Sequence, residues 1–256
     1  MIDFALTGKT AVVTGGTAGI GRAVAAQFVD AGATVGVVGR RDTGAAIAHE
    51  IGGAFLSADV ADPAQVSGLL ATAGNEFGPL DVIVLNAGID PGQATIAETE
   101  PEDLDLNLDV NFRHVFWGLK YGPMHMRDGG SIIITSSTVA MTKVPTIAHY
   151  AAAKEAVVSL AKTAALELGG RGIRVNAVLP GTTLSEMTPE DHWEIEVMRT
   201  MLPLGRHAVA DEDLVGLYQF LASDASRYVT GQAIACDGGM TAGLSYGLLR
   251  GVGAHV

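Results

Sequence analysis

Thr14-Gly15-Gly16-Thr17-Ala18-Gly19-Ile20-Gly21 follows a short apolar run at 10–14 and opens a helical stretch at 20–31. Its small residues let the main chain approach a pyrophosphate, and the helix that follows offers unpaired N–H groups and positive potential. A glycine cluster by itself says little. Placed between a strand and a helix at the start of a βαβ unit, it has the context that dinucleotide binding requires. Gly15, Thr17, Gly19, Ile20 and Gly21 are therefore the candidate phosphate-binding residues.

Outward from that turn, short apolar runs alternate with amphipathic ones. The runs at 10–14, 34–38, 54–56, 82–85, 132–135, 175–178 and 233–236 read as buried strands. Helical periodicity covers 20–31, 44–51, 64–77, 102–126, 149–168 and 211–221. Val/Ile runs without polar alternation signal strands covered on both faces. Strands separated by helices imply right-handed crossovers and an α/β, doubly wound parallel sheet of about seven strands in a single domain. Asp62-Pro63 and Pro101-Glu102-Asp103 carry the cap, N1 proline and acidic first turn that open helices, and Gly32 can close one. The stretch 181–205 is the least regular, with Met187, Trp193, Met198, Met201 and Leu202 among charged residues, and reads as an amphipathic substrate flap.

Composition narrows the partners. The 256-residue chain carries a formal charge of −12, which opposes nucleic acid and anionic membranes as partners. Cys236 is the one cysteine, so neither an intramolecular disulfide nor a cysteine-rich metal site is available, and its apolar flanks read as a buried strand. No metal is implied. Met1-Ile2-Asp3-Phe4 lacks a basic segment before an apolar run, and no apolar stretch is long enough to span a bilayer. A cytoplasmic protein is expected.

The second strand ends Val37-Val38-Gly39-Arg40-Arg41. Gly39 stands where a carboxylate would meet a free ribose 2′-hydroxyl, while a guanidinium suits a 2′-phosphate. Arg40 and Arg41 thus favour NADP, with NAD as the alternative; Asp42 weighs toward the latter.

Tyr150 and Lys154 lie four apart on a helical segment and share a face. A phenol titrates near 10, and bringing it down by about three units takes roughly 4 kcal/mol, within reach of a lysine cation and a positively charged nicotinamide together. Ser136-Ser137 follows the strand 132–135 at the sheet's C-terminal edge, where a hydroxyl can polarise a carbonyl oxygen. Asn111 sits inside the helical stretch 102–126, where its amide needs a partner: a backbone carbonyl, or a water linking Lys154 to solvent.

With these motifs in this order, the sequence resembles the short-chain dehydrogenase/reductase family over about 6–239. The glycine turn resembles its cofactor fingerprint, Asp59-Val60 the pair beside adenine, and Asn86-Ala87-Gly88 its structural Asn-Ala-Gly motif. Asn111, Ser137, Tyr150 and Lys154 match the catalytic tetrad, and Asn176 with Pro180-Gly181 resembles the segment beside nicotinamide. The resemblance implies a Rossmann-type fold and hydride transfer between NADP or NAD and a ketone or secondary alcohol. Ser137 would polarise the oxygen, Tyr150 exchange the proton, Lys154 hold the ribose and Asn111 organise a relay water. Leu85 departs from the family's usual asparagine, and either Thr183 or Ser185 would meet the carboxamide. The family also implies a homotetramer, or a homodimer, with 102–126 and 149–168 building one interface. The apolar tail 244–256 could pack on a partner. A non-catalytic dinucleotide-binding regulator and a lyase on the same scaffold are the alternatives, against which the intact Ser137, Tyr150, Lys154 and glycine turn argue. Val139, Met141 and Val144, with Met187, Trp193 and Met198, suggest an apolar substrate pocket.

Overall fold

The strand that leads into the glycine turn, β1 (Thr10–Thr14), is wholly buried, as its apolar run requires. In the computed structural model, which describes residues 3–90, 92–184, 193–251 and 253, helices alternate with strands from there on. The order is α1 (Gly19–Asp30), β2 (Thr34–Gly39), α2 (Gly44–Glu50), β3 (Ala54–Ser57), α3 (Pro63–Phe77) and β4 (Leu80–Leu85). Next come α4 (Pro101–Leu108), α5 (His114–Tyr121), β5 (Met126–Thr135), α6 (Ala148–Leu168) and β6 (Arg174–Pro180). The chain continues through β7 (Thr183–Leu184), α7 (Trp193–Met201), β8 (Ala208–Val209), α8 (Val215–Ala222), β9 (Ala233–Cys236) and α9 (Tyr246–Gly251).

Seven strands pair in parallel in the order β3-β2-β1-β4-β5-β6-β9. The order reverses between β1 and β4, and at such a switch point the connecting loops part to leave a crevice beyond the strands' C-terminal ends. Alternate residues of the central strands face opposite layers. Val12, Ile83, Ile132, Ile134 and Val175 pack in the layer that includes Leu70 of α3 and Val157 of α6. Val13, Val84, Ile133 and Val178 pack in the layer that includes Phe28 of α1 and Tyr218 of α8.

The stretch expected as one helix at 102–126 is helical without a break from Pro101 to Tyr121 and ends short of 126. Between α4 and α5 the chain makes a π-helical turn at Asp109–Arg113, and a 3-10 turn at Gly122–His125 contains Pro123, which cannot continue the helical ladder. Met126 already begins β5. The stretch 211–221 likewise opens with a π-helical turn, Ala210–Leu214, before α8. Cys236 is half-buried rather than buried, because β9 is an edge strand.

In the stretch read as a flap, β7 pairs with β8 and α7 follows; Ser185 and Met187 lie outside the described residues, as does the side chain of Trp193. The tail packs on its own chain: α9 lies against α7, and Ser245 Oγ donates to the carbonyl of Thr200. Leu248 and Leu249 are half-buried there, and Val252 is outside the described residues. No helix among the described residues is long and apolar enough to cross a membrane.

Tyr218 is the largest fully buried side chain, and its hydroxyl meets Thr135 Oγ1 at 2.8 Å. Thr135 also donates to Asn86 Oδ1 at 3.1 Å. Tyr218→Phe removes the first bond without opening a cavity, so it is expected to lower stability by about 1 kcal/mol, read as a shift in the urea midpoint.

Candidate active site

Thr14 ties the crevice together. Its Oγ1 accepts the N–H groups of Asn86 (2.9 Å) and Ala87 (3.1 Å), while Asn86 Nδ2 donates to the Thr14 carbonyl at 3.1 Å. Asn86 is thus held from β1 and, through Thr135, from β5. The glycine turn and the Asn86-Ala87-Gly88 segment therefore move as one piece.

The resulting cleft has a volume of about 880 Å³ and follows the sheet's C-terminal edge. Gly15, Thr17, Gly19 and Ile20 line one part of it, and Arg40, Arg41, Asp59 and Val60 line the part beyond β2 and β3. Asn86, Ala87, Gly88, Ser137, Tyr150, Lys154, Pro180, Gly181 and Thr183 line it beyond β4, β5 and β6. Gly21 and Asn111 stand behind this surface, both buried. Ser185, the alternative to Thr183, is outside the described residues.

The turn suits an anion. Ala18, the N-cap of α1, makes no side-chain cap bond, and the first turn of α1 holds no carboxylate. The helix N–H groups are thereby left for a ligand. At Gly39 a Cβ would come within 2.7 Å of Thr17 Cγ2, so packing of the turn itself disfavours a side chain there. Arg40 is well exposed and reaches Asp59 Oδ2 at 3.7 Å, a loose pairing that leaves its guanidinium available.

Lys154 is buried, its Nζ donating to the Thr135 carbonyl at 3.2 Å and lying 5.5 Å from the centre of the Tyr150 ring. Ser136 Oγ donates to the Lys154 carbonyl at 2.6 Å and so pins α6 to the end of β5. Gly88 makes room for the amine: a Cβ there would sit 2.9 Å from Asn111 Oδ1 and 3.2 Å from Lys154 Nζ.

The amide of Asn111 takes the first of its two expected roles. Its Nδ2 donates to the Ile89 carbonyl (2.8 Å) and to Asn107 Oδ1 (2.7 Å), and its Oδ1 accepts the Ile89 N–H at 3.2 Å. Asn107, which sequence reasoning passed over, donates in turn to the His149 carbonyl at 2.8 Å. The two asparagines couple the π-helical turn to the first turn of α6 and to Ile89. Their four-residue spacing was the available signal.

Burial governs the charges. It pushes the Tyr150 phenol up to about 12; the Ser137 hydroxyl favours the phenolate, and the Asp90 carboxylate opposes it. In the free chain loss of water dominates; the expected lowering calls for the nicotinamide charge together with Lys154. Burial also brings Lys154 down to about 8. His114, buried on the first turn of α5, is held near 3 by burial and by the Lys154 charge.

Of the residues read as an apolar pocket, Val139 and Met198 line the cleft, whereas Met141 is 59% exposed and neither it nor Val144 does so. Ile89, Asp90, Ile147 and Met240 also line it. Their loop positions carry no periodicity to reveal them.

The family model described as "Enoyl-(Acyl carrier protein) reductase" matches residues 15–241. The 3-oxoacyl-(acyl-carrier-protein) reductase FabG of Staphylococcus aureus is 39% identical over 91% of this chain and 98% of its own length. The NADP-dependent (R)-specific alcohol dehydrogenase of Lentilactobacillus kefiri is 38% identical over 93% of this chain and 98% of its own. A short-chain dehydrogenase from Burkholderia cenocepacia, solved in complex with NADP, superposes with a TM-score of 0.88 at 32% identity, covering 92% of this chain and 98% of that one. The chain belongs to the short-chain dehydrogenase/reductase family.

Burial of Lys154 carries a cost that depends on pH. Because its folded pKa of about 8 lies below the ordinary 10.5, the unfolded chain binds the extra proton between those values. Stability from this group therefore rises with pH across that window, and below it the folded protein bears the full penalty, roughly 3 kcal/mol. Lys154→Met is expected to melt at or above the wild-type temperature at pH 7, with the difference shrinking by pH 10. A lower melting temperature at pH 7 would show that the amine's bonds outweigh its desolvation.

Proposed function

We propose that the chain is an NADP-dependent oxidoreductase that interconverts a secondary alcohol and a ketone, with Tyr150 as the acid and base. The observation that carries this reading is that Ser137, Tyr150 and Lys154 line the same cleft as the glycine turn. The NADP dependence of the Lentilactobacillus relative and the NADP bound in the Burkholderia structure support the choice of cofactor.

Gly15, Thr17, Gly19 and Ile20 would hold the pyrophosphate, Arg40 and Arg41 the 2′-phosphate, and Asp59 and Val60 the adenine. Asn86, Ala87, Gly88, Pro180, Gly181 and Thr183 would flank the nicotinamide half, with Lys154 on its ribose. When bound, the nicotinamide supplies or accepts the hydride. In reduction, Ser137 donates a hydrogen bond to the carbonyl oxygen and Tyr150 gives that oxygen a proton. A phenol near 12 stays protonated at neutral pH and suits this direction. For oxidation Tyr150 must act as a base, which requires positive charge beside it; Lys154 supplies part of that charge. Asn111 holds Ile89 and α6 in place around the amine.

The lyase and regulator readings find no feature here that favours them. Cytoplasmic location and a homotetramer complete the proposal; exposed Leu104, Leu106 and Phe116 on α4 and α5, and Leu166 on α6, are the apolar surface such an assembly would cover.

Two variants test this reading. Tyr150→Phe is expected to cut turnover about 10²–10⁴-fold with NADP binding retained; near-normal turnover would sink the mechanism. Arg40→Ala is expected to weaken NADP binding about tenfold or more while NAD binding changes little, and equal losses measured by titration would remove the 2′-phosphate assignment.

A further inference from the structure

The charged residues lining the cleft among the described residues are Arg40, Arg41, Asp59, Asp90 and Lys154. Arg40 and Asp59 pair with one another at the end assigned to adenine, with Arg41 beside them. Lys154 is buried behind the surface. Asp90 is then the one exposed charge on the part of the cleft that holds Tyr150, and it is close enough for its carboxylate to act on that phenol.

Its position is fixed from both sides. The preceding residue, Ile89, is clamped through its N–H and carbonyl by Asn111. Asp90 Oδ1 accepts the Gly92 N–H at 3.0 Å, and Ala94 donates to the Thr146 carbonyl at 2.8 Å, bridging to Ile147 just before α6. No lysine or arginine among the described residues pairs with Asp90. The cations on neighbouring segments are already matched: Lys143 with Glu155 at 2.6 Å, Arg199 with Glu196 at 2.7 Å, and Arg206 with Asp213 at 2.6 Å. Ile89, Val139, Ile147 and Met198 supply apolar lining to the same cleft.

An exposed carboxylate on the lining of a binding cleft, with no lysine or arginine among the described residues paired to it, is open to a charge-assisted bond from a ligand cation. Carboxylates and phosphates are repelled there, and the formal charge of −12 adds to that repulsion. Resting on the oxidoreductase reading, we propose that the substrate is an amine-bearing secondary alcohol or ketone with an apolar body, and that Asp90 binds its ammonium group. Asp90 is a specificity-determining residue. The bonds that form and break are those of the alcohol–ketone reaction, and the ammonium neither gains nor loses a proton or an electron. Bound beside Asp90, it also offsets the negative charge that opposes the Tyr150 phenolate.

The test compares phenylethanolamine with its carbon isostere, the secondary phenylpropanol in which a methyl replaces the amine. Each is oxidised by the NADP-loaded protein and by its Asp90→Asn variant, and binding of each to the same complexes is measured by calorimetry. The expected result is a preference for the amine of about tenfold or more in kcat/KM, falling to near parity in Asp90→Asn. Calorimetry should show the same collapse in affinity. A preference for phenylpropanol in the wild type, or an amine preference that survives Asp90→Asn, overturns the proposal. If neither compound is oxidised, the binding data still decide. Amine affinity that depends on Asp90 keeps the subsite whether or not these two alcohols are turned over, and affinity that ignores Asp90 overturns the subsite.

Discussion

A lysine amine held out of water beneath a phenol is the constraint around which the cleft is organised. Among the described residues no carboxylate shares the burial of Lys154, so its ammonium relies on the Thr135 carbonyl and on whatever binds in front of it. An isolated buried cation is unfavourable by several kcal/mol and persists only when its surroundings over-determine its place. Here they do. Ser136 fixes the lysine's own carbonyl, Asn107 fixes the carbonyl of His149 one turn earlier, and Gly88 is small enough to let the amine pass Asn111.

The same bonds make the cleft a single rigid piece. Thr14, Asn86, Thr135 and Tyr218 form a polar chain across β1, β5 and α8. The asparagine pair carries the connection onward to α6. The π-helical turn at Asp109–Arg113 places Asn111 so that its amide reaches both Ile89 and Asn107. A ligand entering the cleft meets positions that do not have to be organised at its arrival, which is the main economy of a preformed site.

Charge is distributed unevenly along the cleft. At the end near β2 and β3, Arg40 and Arg41 present positive charge to a phosphate in a protein that is otherwise acidic. Toward Tyr150 the lining mixes apolar side chains such as Ile89, Val139 and Ile147 with the hydroxyls of Ser137 and Thr138, and the exposed Asp90 carboxylate also lines the cleft. Burial leaves the phenol protonated in the free chain, so base chemistry there waits on positive charge delivered with the ligands. The cleft thus separates anion binding from a site that favours neutral or cationic groups.

Much of this was legible in the sequence because it rests on local patterning. Continuous Val/Ile runs specified the seven-stranded parallel sheet, and several strand bounds, such as Thr10–Thr14 and Ala233–Cys236, follow directly from where those runs end. The glycine turn, the serine at a strand end and the tyrosine–lysine spacing were visible for the same reason. The π-helical turn after Leu108, the work of Asn107, the place of Asp90 on the cleft and the raised phenol were not. Each depends on what lies opposite: a backbone carbonyl from another element, a loop clamped against α6, or the loss of water around a side chain. Sequence alone determined which elements form and which reactive groups they carry. Tertiary structure decided which of those groups face one another and how dry they are, because desolvation and long-range hydrogen bonds exist only once the layers have packed.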